Sequence, residues 1–279
     1  MAKKLSKKKM KRGGKGKSHR AHRMRKKKSL AQPKRLLKSG VKGLDVLFGG
    51  GIPEGTATLV TGLPHCGKKP LMMQAIYKML RMGKPVIFVL TDFGVMGWKD
   101  MMLRSNWDIE KHSDNIYFVD CYTQQYGACP VGDNITCLQV PFLLSSLSIE
   151  TSNFIDVIKA KTKRKPFVVL HSISTLVEDF GEIETFKFIQ FLVGRLRAEG
   201  ATVLMSAQSG AKHERVADML QGIFDYVVEM RDMRMRVSGY GATNEWVAYT
   251  MERTGIICHP PAGEDSHEGI KKKIKSAHR

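Results

Sequence analysis

The stretch Gly62-Leu63-Pro64-His65-Cys66-Gly67-Lys68-Lys69 keeps the spacing G-x-x-x-x-G-K. It stands between a β-rich run, TATLVT at 56–61, and PLMMQAIYKMLR at 70–81, whose Leu71, Ala75, Met79 and Leu80 fall at helical spacing. Strand, glycine loop and helix in that order oblige the chain to turn tightly at the end of a strand and open a βαβ unit. In the intact motif, backbone N–H groups wrap phosphates, the lysine reaches the outer phosphates, and a following Ser or Thr hydroxyl holds magnesium. Here the glycines and Lys68 are in place, but Lys69 stands where the hydroxyl belongs. All eight residues are expected to line a nucleotide site, with ATP as its cofactor and the magnesium ligand missing.

The rest of the chain continues the pattern. Gly83-Lys84-Pro85 breaks the helix, and VIFVL at 86–90 is a continuous apolar run of the kind found in strands buried on both faces. Residues 116–120, 167–170 and 201–206 read as further strands, and 149–163 and 183–199 as helices. This alternation predicts an α/β fold of three αβα layers around a mostly parallel sheet. Close-set runs at 226–230, 233–237 and 246–251, joined by charged and Gly-rich turns, predict an antiparallel C-terminal edge. The polar stretch 122–134 reads as an exposed loop without chemistry.

The formal net charge of +20 belongs to the ends. Residues 1–38 carry eighteen Lys and Arg with no Asp or Glu, and 271–279 add five more, leaving 23 basic against 26 acidic residues in 39–270, a net of −3. The arm 1–38 has no aromatic and few large apolar residues, so it cannot bury enough surface to offset chain entropy. Disorder is expected there and in a basic tail at 259–279. A nucleic-acid-binding arm, an attachment to anionic lipid and a solubilising tail are the ordinary readings of such a block. The first is favoured, because Arg and Lys mix with His19, His22 and flexible Gly13, Gly14 and Gly16, while the anchors that lipid binding wants are missing. DNA or RNA is the partner expected through residues 1–38.

No run of about eighteen apolar residues predicts a membrane span, and the lysine-dense start lacks the apolar stretch of a secretory signal. The expected compartment is the cytoplasm. Five cysteines, Cys66, Cys121, Cys129, Cys137 and Cys258, are an odd count in a chain too large to need cross-links, and all are expected reduced. The eight-residue spacing of Cys121, Cys129 and Cys137 does not match zinc knuckles, and the adjacent His65 and Cys66 cannot easily converge on one ion. No metal site is expected.

Between residues 39 and 68 the chain resembles the KaiC/RadA branch of the RecA-type ATPases. It has Ser39-Gly40-Val41, Gly43-Leu44-Asp45-Val46-Leu47, Gly49-Gly50-Gly51-Ile52-Pro53 and Gly55 at the spacing of that family's opening signature. The likeness continues through Phe167-Val168-Val169-Leu170-His171-Ser172-Ile173-Ser174. The resemblance implies a RecA-type core over 39–258, ATP at 62–69, and often homo-oligomeric rings or filaments with nucleotide at subunit interfaces. It places the Walker B aspartate on His171 and the magnesium-holding hydroxyl on Lys69. The acidic residues that position attacking water follow the second strand, where this chain has Thr91-Asp92, so Asp92 is the catalytic candidate. Gln208 matches a phosphate-sensing glutamine. Arg253, in Met251-Glu252-Arg253-Thr254, is the partial equivalent of a Lys-x-Arg-Gly element that reaches a neighbour's phosphate.

Magnesium wants oxygen ligands in near-octahedral geometry, and phosphoryl transfer relies on it to neutralise developing charge. Lys69 and His171 remove both protein anchors together. A second ammonium beside Lys68 could neutralise phosphate directly, and His171 could hydrogen-bond phosphate or water. The resulting reading is a degenerate, weak or inactive ATPase with a nucleic-acid-binding arm and a regulatory or scaffolding role. Two alternatives remain: an active magnesium-dependent ATPase in DNA transactions or signalling, and a relic whose loop binds nothing because His65 crowds it.

Overall fold

The computed structural model describes residues 35–210 and 214–261. Residues 1–34 and 262–279 lie outside the described residues, and with them most of the two segments expected to be disordered; Leu36–Leu37, inside the expected arm, form a strand with Leu37 buried. The folded unit starts ahead of the opening signature. β1 (Leu36–Leu37) pairs antiparallel with β2 (Ile52–Pro53), and α1 (Leu44–Leu47) lies between them in the chain. Gly51 permits this pairing: its φ is +143°, and a Cβ there would come within 2.6 Å of the Leu37 carbonyl oxygen.

The chain continues through β3 (Ala57–Gly62), α2 (Lys68–Arg81), β4 (Val86–Leu90), α3 (Val95–Arg104), β5 (Ile116–Asp120) and β6 (Ile135–Cys137). Then come α4 (Leu144–Lys161), β7 (Phe167–His171), α5 (Ile173–Phe180), α6 (Glu182–Ala198), β8 (Thr202–Gln208) and α7 (Glu214–Gln221). The described chain closes with β9 (Tyr226–Arg231), β10 (Arg234–Gly239), β11 (Val247–Glu252) and β12 (Gly255–His259). Ten strands form one sheet in the order β12-β11-β10-β9-β3-β8-β7-β4-β5-β6. From β9 to β6 every pairing is parallel, and β9 through β12 are joined antiparallel, as the sequence predicts.

Alternate residues of the central strands feed two cores. Val60, Phe88 and Val169 pack with Leu71, Met72 and Trp98 of α2 and α3 on one face. Leu59, Val89 and Leu170 pack with Ile155, Leu192 and Leu196 of α4 and α6 on the other. Each such side chain contributes about 1.5–3 kcal/mol when fully withdrawn from water, which is why these runs carry no polar face. Among the described residues no helix is long and apolar enough to cross a membrane.

The reduced state expected for every cysteine is corrected at one pair. Cys129 and Cys137 form a disulfide, with Cα atoms 6.0 Å apart, because the polar stretch after β5 folds back onto the edge strand β6. Cys66, Cys121 and Cys258 are free.

Candidate nucleotide-binding site

In a parallel sheet covered by helices, ligands collect where strands end and the chain turns into helix. Register brings the site residues to that edge. Gly62 of β3 lies opposite Gln208 of β8, and Leu90 of β4 lies opposite His171 of β7, so Asp92 follows directly beside the histidine.

The loop between β3 and α2 is shaped by contacts only glycine tolerates. Gly67 caps α2 at φ +100°, and a Cβ there would meet Ile256 Cδ1 at 2.8 Å and Met251 Sδ at 3.1 Å. The β11–β12 hairpin is pinned over this turn. Tyr249 donates its hydroxyl to the Cys66 carbonyl at 2.5 Å, and burial, reinforced by Cys66, pushes the phenol up to about 12, so it stays a neutral donor. Gln74 of α2 accepts the Ile256 N–H at 2.8 Å and donates to its carbonyl at 3.1 Å. His65 sits at φ 61° with an exposed side chain.

Two lysines open α2 with no acidic residue in its first turn. Cations are unfavourable at a helix N-terminus, where the dipole and free N–H groups favour anions, and here both lysines are held by nearby partners. Lys68 is buried and donates to the carbonyls of Gly62 at 2.6 Å and Leu63 at 2.7 Å. Burial lowers its pKa, with Cys66 opposing the shift. Its ammonium is thus held on its own loop by two neutral acceptors, with no carboxylate beside it.

Lys69 takes a different course. Its ammonium pairs with Asp92 Oδ2 at 3.5 Å and lies 3.6 Å from the centre of the Phe93 ring. The same Asp92 oxygen is 3.3 Å from His171 Nε2, and His171 Nδ1 is 2.5 Å from Ser206 Oγ. Trp98 meets the imidazole edge-on at 5.6 Å. Burial pushes the Asp92 carboxyl up, but the hydrogen bond and charge of His171, together with Lys69, outweigh it and hold the carboxyl below its ordinary value. Burial lowers the Lys69 ammonium, and Asp92 opposes that shift. Asp92 Oδ1 is buried with no hydrogen-bond partner among the described residues.

This donor set does not fit magnesium. The side chains gathered here are an ammonium, an imidazole and one carboxylate engaged by both, where magnesium wants several oxygen ligands. Among the described residues no group of three His, Cys, Asp or Glu could hold a metal ion. Thr91 plays no part in the polar ring, because its hydroxyl accepts the Ser172 N–H at 2.6 Å and donates to the Ser172 carbonyl at 2.9 Å.

The structure therefore groups residues 62–69 with Asp92, His171 and Gln208. The Gln208 N–H donates to Ser174 Oγ at 2.7 Å, and the Ser209 N–H donates to the Gly62 carbonyl at 3.0 Å, fixing the end of β8 against the loop. Arg253 stands apart, exposed in the turn between β11 and β12. Tyr249, Gln74, Ser206 and Phe93 belong to the site without belonging to any motif. Only the alternation along β11, which points Tyr249 inward, hinted at one of them.

A family model described as "ATPase: KaiC" matches residues 37–251. The chain belongs to the KaiC ATPase family. A KaiC-like protein of the archaeon Pyrococcus horikoshii shares its fold, with a TM-score of 0.64 at 22% identity over 82% of this chain and 100% of that one. The circadian clock oscillator protein KaiC of Prochlorococcus marinus is 24% identical over 71% of this chain and 38% of its own length. A UPF0273 protein of Pyrococcus furiosus is 33% identical over 33% of this chain and 38% of its own. The chain thus spans well under half the length of these two curated relatives. What KaiC membership establishes is a nucleotide-binding domain of the RecA-like type.

Proposed function

We propose that this KaiC-family domain binds ATP without magnesium and turns it over weakly or not at all, with Lys68 and Lys69 as the countercharge of the phosphates. The observation that carries the reading is the ring in which Asp92 holds the Lys69 ammonium and the His171 imidazole at the two magnesium-anchoring positions. An ammonium fixed there supplies positive charge at the loop. It cannot supply the directed oxygen coordination that draws a metal between outer phosphates. Asp92 is poorly suited to position an attacking water, since both neighbours share one carboxylate oxygen and the other is buried.

A nucleotide held without turnover suits a regulatory or scaffolding role. In this reading the basic arm engages DNA or RNA in the cytoplasm, Gln208 senses the outer phosphate, and Arg253 serves a neighbouring copy in a homo-oligomer. ATP binding and hydrolysis of the natural protein are to be compared with those of the Lys69→Thr/His171→Asp double variant. The expected result is tight binding with negligible turnover in the natural protein, and magnesium-dependent turnover in the variant. Magnesium-dependent turnover by the natural protein, abolished by Lys68→Ala, would instead make it a working ATPase.

A further inference from the structure

The near-neutral charge of the core hides a second concentration of positive charge. Five of the seven residues 159–165 are Lys or Arg. The last three of them, Lys163, Arg164 and Lys165, line a cleft of about 320 Å³ together with Arg35, Lys84 and Glu54. This cleft lies where the parallel strands begin. The loops entering β4 and β7, β1 and the turn after β2 build it, at the opposite end of the sheet from the nucleotide loop.

Within the cleft the charges are unequally matched. Lys84 is buried and pairs with Glu54 at 2.5 Å, so the one acidic lining residue is already neutralised. Arg35, Lys163, Arg164 and Lys165 are exposed, and none forms a salt bridge with a carboxylate among the described residues. The Arg164 guanidinium donates to the Gly83 carbonyl, which fixes its plane and leaves its other N–H groups free. Helix dipoles explain Lys78 and Arg81 in the last turn of α2 and Lys159 and Lys161 in the last turn of α4. They do not explain residues 163–165, which lie past the helix in a connection free to be neutral.

We propose that this cleft seats the sugar–phosphate backbone of a nucleic acid. The proposal extends to the core the partner read for the arm, and it stands on the cleft's own residues. Chain order agrees with it: Arg35, the first described residue, lines the cleft, and the sixteen Lys and Arg of residues 1–34 precede it in the sequence. A row of unpaired cations with one oriented guanidinium fits successive phosphates, which favour Arg forks and tolerate flexible Lys. The lining has no aromatic ring for stacking and no Asn or Gln, and its exposed cations suit phosphates, so binding is expected to depend little on sequence. Because the cleft and the nucleotide loop occupy opposite sheet ends, both ligands can be held together.

The test uses the full chain and labelled probes of about 30 nucleotides, a single-stranded RNA and a DNA duplex, titrated by fluorescence anisotropy between about 50 and 200 mM salt. Lys163→Gln/Arg164→Gln/Lys165→Gln should reduce the slope of log K against log salt by about 2, from roughly 0.7 to 0.9 per phosphate contact. It should also weaken binding about tenfold or more at the lower salt, while ATP binding is unchanged. Should the triple variant fold poorly, Lys163→Gln alone should still remove about one contact from the slope. A slope and affinity equal to those of the natural protein would overturn the proposal. So would variant-sensitive binding to vesicles containing about a quarter phosphatidylserine with nucleic-acid binding unaffected. The arm is judged separately by Lys26→Gln/Lys27→Gln/Lys28→Gln: if that variant keeps the natural slope and affinity while the cleft variant loses both, the arm reading fails and the cleft stands.

Discussion

Two neighbouring parts of the nucleotide site obey different constraints. The loop from Gly62 to Lys68 is a matter of backbone shape, and it is kept: Gly67 fits beneath Ile256 and Met251 only without a Cβ, and Tyr249 ties the Cys66 carbonyl in place. The ring of Lys69, Asp92, His171 and Ser206 is a matter of side-chain chemistry, an ammonium and an imidazole gathered on one carboxylate oxygen. A fold can preserve a cradle for phosphate while its capacity to use a metal changes, because cradle and metal ligands are supplied by different parts of the chain. Lys69, His171 and Ser206 are linked around Asp92 by ion pairs and a hydrogen bond, while Asp92 Oδ1 has no partner among the described residues.

That contrast breaks if either part does the other's work. The largest effect is expected for Lys68→Ala, which removes the buried ammonium of the cradle. ATP affinity should fall by about one to two orders of magnitude, the scale of a charge-assisted hydrogen bond of about 1.5–3 kcal/mol, read by isothermal calorimetry. The thermal midpoint should change little. If affinity survives, the loop is not where phosphate binds.

Asp92→Asn should do the reverse. Lys69 and His171 lose their shared partner, and stability should fall by about 1–2 kcal/mol, read from thermal or urea unfolding, while ATP affinity holds or improves because Lys69 is released. The pH dependence has a definite sign. The Asp92 carboxyl is held below its ordinary 3.8 in the folded protein, so its contribution is present above that value and is lost as pH falls through the lower, folded value. The natural protein should therefore lose more stability than the variant on acidification below about pH 4. Equal acid sensitivity would remove the ion-pair ring from the account.

The sequence made the cradle and the sheet legible for a physical reason. Runs such as Val86–Leu90 and Phe167–His171 are buried on both faces, so every residue is constrained to be apolar until the strand reaches its functional end. Elements on the edge escaped that constraint. β6 has three half-buried residues and follows a polar stretch, and β12 follows a turn where the periodic signal is short, so neither was legible. The Cys129–Cys137 bond was hidden likewise, since a pairing eight residues apart depends on how an irregular loop folds back. The altered residues Lys69 and His171 could be read singly from motif positions. Their convergence on one oxygen of Asp92 could not, because it depends on the β4–β7 register. The basic cleft was masked by the balanced total charge of the core, which says nothing about where the charges lie.

The most direct test of the central claim is ATP affinity of the natural protein measured in millimolar magnesium and again in excess chelator. If Lys69 supplies the positive charge that magnesium gives other phosphate loops, the two dissociation constants should agree within about twofold. A loss of affinity of about tenfold or more in chelator, equivalent to about 1.4 kcal/mol, would show that the site still recruits a metal and would contradict the account.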